Sequence, residues 1–459
     1  MKTIIRIAVF LSFMLFLFSC IAMKKQETPD MSSYDQLYRD IEQSDSSFAD
    51  IPWMSLFTDP HLQEIIKEAI ANNPDMQIAQ ARIMKAEANL RQSRAEFFPS
   101  LNAGFNATFQ NVNPTGQGLP ELYQAFGSTS WEADIWGKYR SSKRANLASL
   151  LASEAYRRIV ITDLVSSAAQ TYYSLLALDA QLEITRQTVE KRIRNVETME
   201  VMKENDVITG ADLVLSQANR YSAEVTIPDL NQRIYETENT LSLLMGRNPG
   251  PIERGRLDEQ ELSADLKTGV PAQLLANRPD VIEAEYHLRY FAEMVNVARA
   301  NFYPAVTLTA RSGLSETNFR QLFQSPFFFW NIAAGLTQPI FNFGLNRQRY
   351  SSAKADLIEN EAVFRNTLLR AGQEVVNAMH EYQSATDKLN IRSIQIGYLE
   401  KSVEYTMELL KYTSNTNYID VLTSEVNLLS AQLGEINDKL QQLQAIVKLY
   451  QSLGGGWKE

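Results

Sequence analysis

Hydrophobic and polar positions follow two different rhythms along this chain. From Leu101 to Gln110 the residues alternate, with Leu101, Ala103, Phe105, Ala107 and Phe109 on one side and Asn102, Gly104, Asn106, Thr108 and Gln110 on the other. A period of two belongs to a strand with two unlike faces. The stretch from Tyr123 to Ile135 behaves alike, Phe126 being the exception. Further on, Val306, Leu308, Ala310 and Leu314 oppose Thr307, Thr309 and Arg311, and Phe328, Trp330, Ile332, Ala334, Leu336 and Ile340 oppose Asn331, Gly335 and Thr337. Strands are therefore expected over about 100–111, 123–136, 305–315 and 327–341. Each has about ten residues, the length of a tilted strand crossing a bilayer. Phe97, Phe98, Phe302, Tyr303, Trp131, Trp136 and Phe341 stand near the strand ends, where aromatic girdles lie.

The remainder is dominated by helix formers. No Gly or Pro occurs between Gly137 and Gly210, so one helix is expected over about 138–205. At 1.5 Å per residue it would run about 100 Å, far beyond an ordinary globular helix. A second such helix is expected over about 344–412, with Gly372 and Gly397 as weak points, and shorter partners over about 211–246 and 418–453. Pro228 should kink or break the first of these partners. Helices this long bury their apolar seams by pairing lengthwise as coiled-coil hairpins.

The two halves carry the same landmarks in the same order. Asn73-Pro74-Asp75 matches Arg278-Pro279-Asp280, and Phe98-Pro99-Ser100-Leu101 matches Tyr303-Pro304-Ala305-Val306, with prolines 74 and 279, and 99 and 304, each 205 apart. Gly137 pairs with Gly344, Asp212-Leu213-Val214-Leu215 with Asp420-Val421-Leu422, and Met245-Gly246-Arg247 with Leu453-Gly454-Gly455. Residues 61–250 and 251–459 thus read as two structural repeats, preceded by a segment over 20–60.

Composition narrows the chemistry. With 459 residues, 45% hydrophobic and 21% charged, the chain is a folded one rather than disordered or collagen-like. A net charge of -10 argues against a nucleic-acid partner, which would want a basic face. Three histidines, His61, His287 and His380, and a single cysteine exclude a disulfide framework and leave little for a metal site. No nucleophile-base constellation or phosphate-binding glycine loop is present, so neither an enzyme nor a cofactor is expected. The thirteen methionines are scattered, as core filler would be.

Lys2 and Arg6 precede the apolar run Ile7 to Phe18, which has the charged start and greasy middle of a secretory signal and is too short to span a membrane. Residues 1–19 read as a signal peptide. Leu17-Phe18-Ser19-Cys20 resembles the bacterial lipobox, which makes Cys20 the expected lipid-bearing N-terminus of a tail anchored in a lipid bilayer.

Strand edges in hydrocarbon must be closed, and four strands cannot close. Two chains give eight strands and a lumen filled by side chains; three give twelve and leave room for water. The polar faces carry Asn, Gln, Ser, Thr and the ionisable Glu132, Asp134 and Arg311, expected to face that lumen. A homotrimer is the more economical solution.

Taken together, the lipobox, the paired Phe98-Pro99-Ser100-Leu101 and Tyr303-Pro304-Ala305-Val306 motifs, Trp131-Glu132-Ala133-Asp134-Ile135-Trp136-Gly137-Lys138, Tyr418-Ile419-Asp420-Val421-Leu422 and the terminal Leu453-Gly454-Gly455-Gly456-Trp457 make the chain resemble TolC-like outer-membrane efflux proteins. The likeness is to the lipoprotein branch serving resistance-nodulation-division pumps. It implies a mainly α protein with a transmembrane β-barrel: four strands per chain closing as a trimer into a twelve-strand β-barrel, and coiled-coil hairpins closing into a twelve-helix α-barrel. It also implies an outer-membrane location in a Gram-negative bacterium with a long periplasmic extension, docking to a periplasmic membrane-fusion adaptor protein and an inner-membrane resistance-nodulation-division transporter, and passive export of small toxic molecules. In this family charged and hydrogen-bonding rings near the second helical turn close the periplasmic gate. The matching positions are Tyr412, Asn417, Asp420 and Thr423, with Asn417 and Thr423 standing where several relatives have Arg and Asp. Asp420 alternatively stabilises the dipole of its helix, and Asp212 is expected to cap the helix after the first turn or to stabilise its dipole. Gly454-Gly455-Gly456-Trp457 is expected to end the last helix and anchor the tail. Competing readings are a duct for protein secretion and a lipid-anchored coiled-coil structural or adhesive envelope protein without a channel.

Overall fold

A computed structural model describes residues 47–109, 121–261, 277–324, 326–412 and 418–458. The signal peptide, Cys20 and Asn417 lie outside the described residues. In chain order the elements are α1 (Trp53–Leu56), α2 (Pro60–Asn72), α3 (Pro74–Ala95), β1 (Ser100–Thr108), β2 (Leu122–Ala133), α4 (Lys138–Glu204), α5 (Gly210–Glu224), α6 (Thr226–Leu244), α7 (Pro279–Ala300), β3 (Ala305–Glu316), β4 (Phe327–Thr337), α8 (Leu345–Tyr412) and α9 (Tyr418–Ser452).

Helices α4 and α8 have 67 and 68 residues. Gly372 and Gly397 do not interrupt α8, because a lone glycine costs only about 1 kcal/mol against alanine. The stretch over 211–246, where Pro228 is expected to kink or break the helix, is two helices. The break falls at Val225, three residues before Pro228, whose ring would press on the Glu224 carbonyl and which has no N–H to offer it. After the first turn, Thr209 and Asp212 form a reciprocal capping box: the Asp212 N–H donates to Thr209 Oγ1 (3.2 Å), and the Thr209 N–H to Asp212 Oδ2 (3.0 Å).

By contacts the chain divides into two compact units, each drawing on both halves of the sequence. One contains Arg82–Ser153 and Ala284–Phe364, and its centre is a four-stranded antiparallel sheet in the order β1-β2-β3-β4. The register joins the halves through β2 and β3: Ala125 lies opposite Leu314, Thr129 opposite Ala310 and Trp131 opposite Leu308. Helices α7 and α8 pack through Val295, Ala298 and Ala353, with Tyr350 and Leu357 against them. Two tryptophans use their polar edge at strand ends. Trp131 Nε1 donates to the Phe97 carbonyl (3.0 Å), while Trp136 Nε1 donates to that of Pro304 (2.7 Å) and its ring stacks on Tyr303.

The second unit takes in residues up to Ala81, Glu154–Glu283 and Arg365–Glu459. Its core on α4 holds Tyr172, Tyr173, Leu175 and Leu176, all fully buried. Tyr172 donates its hydroxyl to Asp59 Oδ2 (2.6 Å) and accepts the Gly255 N–H (2.9 Å), so a buried phenol ties the helix to the segments on either side. The internal repeat is visible here atom by atom. Asn73 Nδ2 donates to the carbonyl of Leu244 at the end of α6 (2.9 Å), and Arg278 Nη1 donates to that of Ser452 at the end of α9 (2.9 Å). The glycines that follow, Gly246 (φ 68°) and Gly454 (φ 89°), lie so close to the carbonyls of Asn72 and Asn277 that a Cβ would stand 2.6 and 2.5 Å from them. Positive φ and absent side chain are both required there. Trp457 closes the tail, donating to the Asn277 carbonyl (3.0 Å) beneath the Arg158 guanidinium.

Candidate functional site: a two-faced sheet and a helical tip

Register assigns every strand residue to one of two faces. Leu101, Ala103, Phe105 and Ala107 share a face with Tyr123, Ala125, Thr129 and Trp131, with Val306, Leu308, Ala310 and Leu314, and with Phe328, Trp330, Ile332 and Leu336. That face is apolar and, among the described residues, largely open, with Phe319 packing on Phe105 and Tyr123: Leu101 is 84% exposed, Trp330 70% and Ile332 65%. An apolar patch of this extent left open on one protomer marks a surface meant for lipid or another chain. The opposite face carries Asn102, Asn106, Gln124, Ser128, Ser130, Thr307, Thr309, Arg311 and Asn331. Strands β1 and β4 are the edges.

Glu132 lies on the polar face, paired with Lys138 (Nζ to Oε1, 3.0 Å) and accepting the Tyr139 hydroxyl (3.1 Å). Burial, then the charge of Glu132, push the Tyr139 phenol up to about 12. Asp134 lies just past the end of β2. It accepts the Tyr139 and Arg140 backbone N–H groups (3.0 and 3.1 Å) and pairs with the Arg140 side chain (3.0 Å), so its carboxylate caps the start of α4. Arg311 sits at mid-strand with its guanidinium carbon 3.5 Å from the centre of the Phe126 ring.

At the helical turns, Met199 of α4 packs with Tyr418 and Val421 of α9, flanked by Ile208, Leu213, Met407 and Leu410. Of the gate candidates, Tyr412 ends α8 with 83% exposure, and Asp420 and Thr423 are exposed on the first two turns of α9. The Thr423 hydroxyl donates to the Ile419 carbonyl (2.8 Å), a bond within its own helix. Behind them is a polar contact that sequence patterning does not single out: Asn195 Nδ2 of α4 donates to Glu425 Oε1 of α9 (2.6 Å). Burial raises the Glu425 carboxyl, with Asn195 and then Arg192 pulling the other way. Its Oε2, Arg192 Nε and Asn219 Nδ2 are buried without hydrogen-bond partners. The one signal in the sequence is an acid one turn beyond the buried Val421, on the packed side of α9.

A sheet with one lipid-suited face and one wet face, borne on helices several times ordinary length, defines a barrel-forming envelope protein of the conduit kind. The outer membrane efflux protein family model matches residues 65–247 and 270–455, and the chain belongs to that family: it is an outer-membrane channel protein of an efflux system. It is 29% identical over 432 residues to the probable outer membrane lipoprotein SilC of Salmonella typhimurium, covering 90% of each chain. To the probable efflux pump outer membrane protein TtgC of Pseudomonas putida it is 29% identical over 448 residues, covering 94% of this chain and 91% of the relative. The fold is also that of the MtrE outer membrane channel of Neisseria gonorrhoeae, crystallised in its open state, with a TM-score of 0.84 at 23% identity over 96% of this chain and 99% of that one.

Proposed function

We propose that three copies of this chain close their β1 and β4 edges on one another into a twelve-strand barrel with the polar face inward, and that their helices form the matching twelve-helix duct. The observation that carries this reading is the two-faced sheet with open edges. Unpaired strand edges in hydrocarbon cost several kcal/mol per group, and only closure removes them. The duct is passive: solute is driven by a partner pump, reached through a periplasmic adaptor, with a resistance-nodulation-division transporter in the inner membrane. The cargo class is small toxic molecules, in keeping with the efflux relatives. Cys20 carries the lipid, by analogy with the lipoprotein SilC.

The periplasmic gate is assigned to Tyr412, Asn417, Asp420 and Thr423. Three copies of Asp420 around the axis would favour cations and resist anions at the entrance. On the polar face Glu132 is balanced by Lys138, Asp134 is balanced by Arg140 at the start of α4, and Arg311 faces the lumen. The test is single-channel recording of the detergent-purified protein beside Asp420→Ala. Steps whose size and cation preference change support the gate; steps indifferent to the substitution reassign it.

A further inference from the structure

Phe126 breaks the alternation of β2 by placing a ring on the polar face, and the structure gives that ring a seat. Its cross-strand neighbours in the register are Gly104 on β1 and Gly313 on β3. A Cβ on Gly104 would lie 2.7 Å from the ring tip, and one on Gly313 would strike the Ala125 carbonyl and stand 2.7 Å from the Phe126 backbone. Gly104 thus makes room for the ring, and Gly313 lets β3 approach the β2 backbone that carries it.

The Arg311 guanidinium rests on that ring at 3.5 Å and lies 5.6 Å from the Phe329 ring. Nη2 donates to Gln124 Oε1 (3.3 Å), and Nε is buried with no hydrogen-bond partner. Directly across the strands from Arg311 are Ser128 and Asn331, which are neutral. Among the described residues of this face the other charge, Glu132, is neutralised by Lys138. Arg311 is therefore a cation at mid-strand with no carboxylate partner among the described residues, held against an aromatic surface by cation–π attraction and fixed in direction by Gln124.

We infer that Arg311, seated on Phe126, is a selectivity residue of the barrel: three copies form a mid-barrel ring that favours small organic anions such as carboxylates. The guanidinium's planar donor edge suits a carboxylate, and the adjacent rings supply apolar contact for its carbon frame. A ring of this sign opposes the acidic one at the entrance, so the two ends of the duct differ in ionic preference. The inference rests on the closed barrel proposed above.

The test uses the full-length protein in planar bilayers under a potassium chloride gradient. Arg311→Gln is expected to move the reversal potential toward that of potassium, Arg311→Lys to stay near the wild type, and Phe126→Leu to move it part of the way by unseating the charge. With benzoate replacing chloride on one side, the reversal potential should report a higher benzoate-to-chloride permeability ratio in the wild type than in Arg311→Gln. Should the Gln variant fail to assemble, Arg311→Met carries the same comparison. An unchanged reversal potential in a conducting Arg311→Gln or Arg311→Met overturns the inference while leaving the duct intact, and an equal benzoate-to-chloride ratio in both proteins removes organic anions as the favoured class. A wild type that never conducts overturns the duct reading and this one with it.

Discussion

Replacing Arg278 by alanine tests the repeat joint and the energetics of the whole second unit. The Arg278 side chain is 9% exposed and holds three groups together: the Asp280 carboxylate, through both oxygens at 2.8 Å, Glu374 at 2.7 Å and the Ser452 carbonyl at 2.9 Å. Removing it leaves the Ser452 carbonyl without that donor, a loss of about 1–3 kcal/mol for a buried group. Asp280 and Glu374 are 35% and 53% exposed and are rehydrated, so their contribution is at most about 1 kcal/mol. Together about 1–4 kcal/mol is expected from Arg278→Ala. The other half of the chain supplies the control. Asn73 caps Leu244 at the equivalent place and its Oδ1 accepts the Asp75 N–H (2.8 Å), so Arg278→Asn should restore the cap and cost only about 1 kcal/mol. Thermal unfolding followed by circular dichroism in detergent would rank wild type above Arg278→Asn and Arg278→Ala lowest. Asparagine as damaging as alanine would refute the equivalence of the two joints, and alanine indistinguishable from wild type would refute the joint itself.

Glu425 gives a pH prediction. Its carboxyl is raised above 4.5 by burial, so the folded state binds the proton more tightly than the unfolded one, and stability falls as pH rises from about 4.5 through the folded value. Glu425→Gln should flatten that slope and protect α4 and α9 near neutral pH, read by hydrogen exchange at the Met199–Tyr418 contact; an unchanged slope would count against it. Gly313→Ala should abolish assembly, because a methyl there meets the β2 backbone rather than a movable side chain; heat-sensitive oligomers on a mild detergent gel would be missing, and their persistence would contradict the register. Cys20→Ala should lose incorporation of radiolabelled palmitate, and retained label would place the lipid elsewhere.

What the sequence made legible was whatever depends on neighbours along the chain. Strand alternation, the uninterrupted helix between Gly137 and Gly210, the break caused by Pro228 and the capping role of Asp212 all follow from residues a few positions apart. Contacts set by register were not legible. Phe126 stood out as an exception, but its reason lies on β1 and β3, in Gly104 and Gly313. Arg278 and Asn73 stood out as matching landmarks, yet the carbonyls they hold are more than 170 residues away. Asp134 was expected to face the lumen from its alternation, whereas β2 ends one residue earlier and backbone N–H groups of α4 take its carboxylate. Glu425 reads in sequence as one more charge on a solvated helix.

Closure of the sheet edges between three chains is the central claim, and cross-linking tests it most directly. With Cys20 occupied by lipid, no other cysteine competes. Asn102→Cys on β1 would be combined in turn with Asn331→Cys, Ala333→Cys or Gly335→Cys on β4, all on the polar face, and oxidised in the membrane. At one register the account predicts a non-reducing gel ladder of one, two and three chains that stops there. A ladder ending at two chains, one running past three, or no link between chains at any register would contradict it.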